Sequence, residues 1–185
     1  MKRLFAVFLT ILSLVGCSHK NSSMDKLYQF RNDLLQANVV SFDAEITADY
    51  GQEYYTFQVS CSGDESGNLA FEVISPETIS GIRGNVSREE GNLTFDDHIL
   101  AFKTMAEDRL TPVTAPWVFL TALRGGYITS CGKTEDGYLA VIRDTYLDDY
   151  LSIDVSFQED VPINADVFWN QTRIISMKIT NFRYV

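Results

Sequence analysis

The chain has 185 residues, 25 of them acidic and 15 basic, for a formal charge of −10 at pH 7. Such acidity argues against nucleic acid or anionic lipid headgroups as direct partners, because both would repel it. Hydrophobic residues make up 45%, enough for one ordinary domain with a sizeable core, and neither a composition break nor a fixed-period repeat divides the chain.

Met1-Lys2-Arg3 is a short basic start and Leu4 to Val15 an apolar run, the layout of a secretory signal peptide. The run is shorter than the ~20 apolar residues a helix needs to cross a bilayer. It closes with Leu14-Val15-Gly16-Cys17, which resembles the lipobox of bacterial lipoproteins, where an aliphatic residue and small residues precede a Cys. The resemblance implies that residues 1–16 are removed as a lipoprotein signal peptide and that Cys17 becomes the lipid-bearing N-terminus. It also implies an extracytoplasmic place on the cell membrane, or on the outer membrane in a cell with two. Two acyl chains hold a protein stably at a bilayer, so the membrane itself is an expected partner through Cys17. Loss of Lys2 and Arg3 removes two positive charges and takes the formal charge from −10 to −12. Residues 17–23 are then a lipidated polar tether, and residues 24–185 the folded domain.

Cys61 and Cys131 remain, in a compartment where disulfides persist. Two readings stand for them, a bridge or two separate buried thiols, since spacing does not show whether their Cα atoms come within ~7 Å.

From Met24 the pattern is helical, with Leu27, Phe30, Leu34 and Ala37 on one face and Ser22 or Ser23 able to cap the N-terminus. A period of two follows: Phe42, Ala44, Ile46, Ala48 and Tyr50 alternate with polar residues, as do Tyr55, Phe57, Val59 and Cys61, and then Leu69, Phe71 and Val73. The links Asp49-Tyr50-Gly51-Gln52 and Gly63-Asp64-Glu65-Ser66-Gly67 are rich in turn formers. Three strands joined in this way make an antiparallel meander that is apolar on one side.

Beyond Pro76 a shorter hairpin is expected between 84–88 and 93–96, with a further strand over 99–103. Residues 104–112 have no period and are expected to be a loop. Residues 114–123 are predicted to be a second helix, with Pro116 in its first turn and Gly125-Gly126 stopping it. Trp117, Val118, Phe119, Leu120 and Leu123 make it apolar most of the way round, so something must cover more than one face. Strands return over 127–131, 138–143, 151–157, 167–169 and 173–182.

An N-terminal helix, a long antiparallel meander and an inserted helix together resemble the LolA/LolB-like lipoprotein carriers. So do Ser75-Pro76-Glu77-Thr78-Ile79-Ser80-Gly81-Ile82 and the later Gly91-Asn92-Leu93-Thr94-Phe95. The resemblance implies a mainly β fold, a curved antiparallel sheet forming an incomplete barrel that helices close, with apolar space between sheet and helices for acyl chains. It extends to lipid-anchored members in Gram-positive bacteria, some linked to sporulation or germination. No position here matches the arginine inside the carriers' barrel, so cargo identity does not carry over.

Tyr55, Phe57, Val59, Phe71, Trp117 and Leu120 are the candidate walls of a lipid-binding groove, with an ordinary filled core as the alternative for each. Two functions follow: a carrier or binder of lipid or lipoprotein acyl chains, or a tethered module that docks an envelope protein and holds no ligand. No cofactor is expected, and no enzyme. The two histidines, His19 and His98, lie beside no nucleophile pattern. Asp96-Asp97-His98 and the acids Asp144, Asp148 and Asp149 are expected to be solvated loops rather than metal sites, and the EF-hand spacing is absent.

Overall fold

A computed structural model describes residues 22–88, 90–95, 98–103, 105–106, 109–144 and 151–185. The signal segment, Cys17, most of the tether, Asp96, Asp97, Asp148 and Asp149 lie outside these residues.

Helix α1 spans Ser23–Gln36 and is fixed at its start by a capping box. The Ser22 hydroxyl accepts from the Asp25 N–H at 3.1 Å, and the Asp25 carboxylate accepts from the Ser22 N–H at 3.0 Å, which satisfies two donors that a helix start leaves open. Leu27, Phe30 and Leu34 are its buried stripe. Ala37 leaves the helix as an extended cap.

The strands then run in chain order: β1 (Val39–Asp49), β2 (Tyr54–Asp64), β3 (Leu69–Ser75), β4 (Arg83–Val86), β5 (Gly91–Phe95) and β6 (His98–Phe102). A two-residue pair, β7 (Met105–Ala106) and β8 (Arg109–Leu110), precedes helix α2 (Ala115–Gly125). After it come β9 (Tyr127–Lys133), β10 (Tyr138–Arg143), β11 (Leu151–Gln158), β12 (Val161–Trp169) and β13 (Thr172–Tyr184). Eleven strands form one antiparallel sheet in the order β6-β5-β4-β3-β2-β1-β13-β12-β11-β10-β9. Two meanders are therefore joined along β1 and β13, and the sheet is not closed into a barrel.

The alternation in the sequence decides which face is covered. Val40, Phe42, Ala44, Ile46 and Ala48 on β1, and Ile153, Val155 and Phe157 on β11, are all at most 2% exposed. Both helices lie against this apolar face. Phe30 of α1 meets Phe157 edge-on at 5.0 Å and Phe182 at 5.6 Å, and Phe119 of α2 meets Phe42 edge-on at 5.5 Å. Such pairs add to the stabilisation from burying their area.

Helix α2 packs against both the sheet and α1, which explains its apolar circumference. Arg31 of α1 donates through Nε to the Leu123 carbonyl at 2.7 Å and through Nη2 to the Ala122 carbonyl at 3.2 Å. A guanidinium at a helix C-terminus meets the negative end of the helix dipole, and the Ala122 carbonyl also accepts from the Gly126 N–H at 2.9 Å.

Two sequence expectations change, and the two readings left open for the cysteines are narrowed. Residues 105–110 are not a plain loop but carry the small β7–β8 pair, and Leu110 is fully buried. β12 begins at Val161 rather than 167, because Pro162 and a shift in register opposite Ser156 and Phe157 interrupt the period of two without ending the strand. Cys61 and Cys131 are both free thiols, so the bridge is not made. They lie on β2 and β9, and five strands, β1, β13, β12, β11 and β10, stand between them in the sheet.

Candidate functional site

The covered face of the sheet changes character along β2. At its C-terminal end Gly63 lies under α2 so closely that a Cβ would come within 2.2 Å of Leu120 Cδ2. Cys61, Val59 and Phe57 follow at 3%, 1% and 6% exposure, and Tyr55, nearest the β1–β2 turn, is 47% exposed. The helix covers the first part of this ladder, while the segment leading into it, Leu110 to Val113, reaches over the last.

Beneath that segment lies a pocket of about 400 Å³, within the range of small-molecule sites, roughly 300–1,000 Å³. Phe57 and Val73 form its floor, Ile79, Ile82 and Leu93 one side, and Leu110, Pro112 and Val113 the other. Tyr50, Glu53, Tyr55 and Thr111 complete the lining. The loop after β3 supplies Ile79 and Ile82, and it is folded back by Gly81 and Val73, whose N–H groups donate to the Val73 and Ile82 carbonyls respectively, both at 2.8 Å.

The polar atoms of the lining are largely turned to structural work. The Tyr50 hydroxyl donates to the Leu110 carbonyl. Thr111 Oγ1 donates to the Lys103 carbonyl at 2.8 Å, and Thr114 Oγ1 to the Thr111 carbonyl at 2.7 Å. These bonds pin the segment over the sheet and leave apolar surface facing inward. Glu53 is the charged residue among the described lining. By contrast, a concavity of about 440 Å³ elsewhere on the sheet mixes the charged residues Asp43, Glu45 and Lys178 with Ala44, Val59 and Ile74.

Of the six wall candidates, Tyr55 and Phe57 line the pocket. Val59, Phe71 and Leu120 lie in the filled core at 1%, 4% and 2% exposure. Trp117 sits over the β2–β3 turn, with Nε1 donating to the Gly67 carbonyl at 2.9 Å. Tyr50, Ile79, Ile82, Leu93, Leu110 and Val113 are lining residues that the sequence did not single out as walls. Ile79, Ile82 and Leu93 fall in the two stretches that carried the family resemblance, which was the available signal.

Elsewhere the ionisable groups serve the fold. Burial pushes the Cys61 thiol well above its ordinary range, with a further push from Asp43. Burial lowers the pKa of the Arg124 guanidinium, and Asp64 partly offsets this. Arg124 Nη1 donates to the Asp64 carbonyl, which ties α2 to the end of β2. His98 is exposed at the start of β6. Among the described residues no cluster of His, Cys, Asp and Glu could hold a metal ion, and no helix is long and apolar enough to cross a membrane.

No family model and no curated protein matches the chain. Among solved structures, a LolA superfamily protein from Nitrosomonas europaea aligns with a TM-score of 0.51 at 8% identity, over 89% of this chain and 94% of that one. Two others are similar more loosely. Lipoprotein LppX of Mycobacterium tuberculosis gives a TM-score of 0.38 at 8% identity over 84% and 92% of the two chains. A chain from the complex of the CwlD amidase with the GerS lipoprotein of Clostridioides difficile gives 0.40 at 12% identity over 92% and 100%. At these identities the likeness is one of fold alone, shared with the LolA superfamily protein of Nitrosomonas europaea.

Proposed function

We propose that this protein is an extracytoplasmic lipoprotein, anchored through Cys17, whose pocket binds an acyl chain of a lipid or of an acylated protein. The observation that carries the proposal is the pocket itself: walls of Phe57, Val73, Ile79, Ile82, Leu93 and Val113 at the part of the sheet α2 leaves uncovered. Apolar surface held open to water costs about 25 cal/mol per Å², and an alkyl chain would relieve that cost. The LolA-like fold supports the same class of ligand, as does the lipobox for the anchor. Binding, rather than catalysis, is the activity proposed.

The test is a titration of the mature protein with a fluorescent alkyl probe, beside Ile79→Trp, which fills the pocket. Wild type should bind saturably and the variant about tenfold more weakly. Equal affinity in a folded variant would remove the pocket as the site. For the anchor, Cys17→Ala should abolish labelling by a fatty acid, and equal labelling of the variant would refute it.

One observation favours a second reading, a tethered docking module. Edge strand β6 leaves Ile99 73% and Leu100 58% exposed, and an uncovered apolar edge is a surface for strand addition. Loss of an envelope partner in Leu100→Lys, with probe binding intact, would support that role.

A further inference from the structure

The pocket opens to water past Tyr55 and is closed at its inner end, where the covered face of the sheet becomes filled core. On β3 the side chains of Leu69, Phe71 and Val73 share that face. Val73 belongs to the pocket floor, and Leu69 lies opposite Gly63, where Leu120 presses on the sheet. Phe71 stands one pleat from each. It is 4% exposed and outside the pocket lining.

The ring of Phe71 is seated on β4. A Cβ on Gly84 would come within 2.5 Å of Phe71 Cζ, so the absence of a side chain there is what lets the ring lie so close to the strand. Gly84 pairs with Leu93 of β5, itself a wall of the pocket. On β2, Val59 and Cys61 fill the same stretch between Phe57 and Gly63, at 1% and 3% exposure. An alkyl chain entering past Tyr55 therefore stops against Val59 and Phe71.

The space in front of this barrier is about 400 Å³. A methylene group takes up close to the ~30 Å³ of a water molecule in the liquid, so about a dozen carbons fill it. Two such chains would need twice the volume, and the closely packed residues behind the barrier leave no slack to supply it.

Resting on the acyl-chain reading, we infer that the ligand is a single alkyl chain of about ten to twelve carbons, held methyl end inward, and that Phe71 sets its length. Carbons inside the pocket leave water and strengthen binding, whereas further carbons lie beyond Tyr55 in water and add nothing. A lipid with two chains can place only one of them.

The full-length lipidated protein in nanodiscs, with empty nanodiscs as the blank, is brought to equilibrium by dialysis with straight-chain alcohols of six to sixteen carbons. Affinity should rise about fourfold for each added carbon up to about twelve, the gain expected from burying a methylene, and then level off. Phe71→Ala should move this break about three carbons further, and Leu93→Trp should move it about two carbons shorter. Leu93 is a half-buried wall residue, so Leu93→Trp and the wild-type break decide the matter if Phe71→Ala does not fold. A rise that continues unbroken to sixteen carbons, or a break that Leu93→Trp leaves in place, would overturn the inference and leave the acyl-chain pocket standing. Absence of any alcohol binding above the blank would overturn both. Didecanoyl phosphatidylcholine should bind within about twofold of decanoyl lysophosphatidylcholine, and much tighter binding would put a second chain inside and overturn the inference. Decanoate beside that lysolipid distinguishes the source, a free fatty acid or a lysolipid, by which of them binds as tightly as decanol.

Discussion

The two ends of β2 are built from the same alternating pattern and have opposite fates. At one end Leu120 presses on Gly63 and Phe119 on Phe42, so the sheet is sealed by a helix. At the other, Phe57 and Tyr55 face a pocket that the segment 110–113 overhangs. A period of two therefore tells which side chains leave water, but the covering element decides whether they become core or wall.

The largest expected effect lies at the sealed end. Phe119→Ala should cost ~3–5 kcal/mol through lost contacts and a cavity, read by urea unfolding, with alkyl-probe affinity unchanged in the folded protein. A cost below 1 kcal/mol would make the two ends alike and break the comparison.

A smaller loss is expected where the packing is tightest. Gly63→Ala puts a Cβ within 2.2 Å of Leu120 Cδ2 and should destabilise by ~1–3 kcal/mol. Leu120→Ala in that background should recover part of the loss, a non-additivity expected of residues in contact. Strict additivity would show that the crowding is relieved elsewhere.

At the open end stability should scarcely change. Ile79→Trp is expected to alter unfolding by no more than ~0.5 kcal/mol while weakening probe binding. A loss of several kcal/mol would mean that the pocket is filled by side chains in solution.

The thiols sharpen the contrast without altering stability at all. Cys61 is buried, with its thiol held above the ordinary range, so it should resist a thiol reagent until the protein unfolds. Cys131 is half-buried and its thiol is raised by partial desolvation, so it should react in the native state, faster as pH rises but more slowly than a free thiol. Absence of both thiols from the unfolded, unreduced chain would contradict the unbridged arrangement.

Strand identity and the filled interior were legible in particular residues. Phe42 to Ala48 announced a half-buried strand, and the apolar circumference of 117–123 announced a helix with neighbours on two sides, which the sheet and α1 provide. The pocket was less legible, because its walls come from places where periodicity fails. Leu110 ends a two-residue strand too short to show any period and Val113 follows it, and Ile79 and Ile82 sit in a loop that owes its shape to bonds with Val73. Trp117 lies on α2, outside the pocket lining. Its indole N–H is spent on the Gly67 carbonyl, a contact across 50 residues that no local pattern announces.

The seam between β1 and β13 has a consequence for how the molecule comes into being. Val40 pairs with Tyr184 and Ala48 with Ile175, so the central hydrogen-bond ladder joins the first strand to the last. Contacts of such long sequence separation must pay loop-closure entropy before they stabilise anything, and they slow folding. A chain still missing its final strand can form two separate meanders, each with an exposed inner edge, but not the continuous eleven-stranded sheet. Completion of the sheet is thus deferred until β13 has been made, and removing β13 from a finished molecule should undo it from the middle outward.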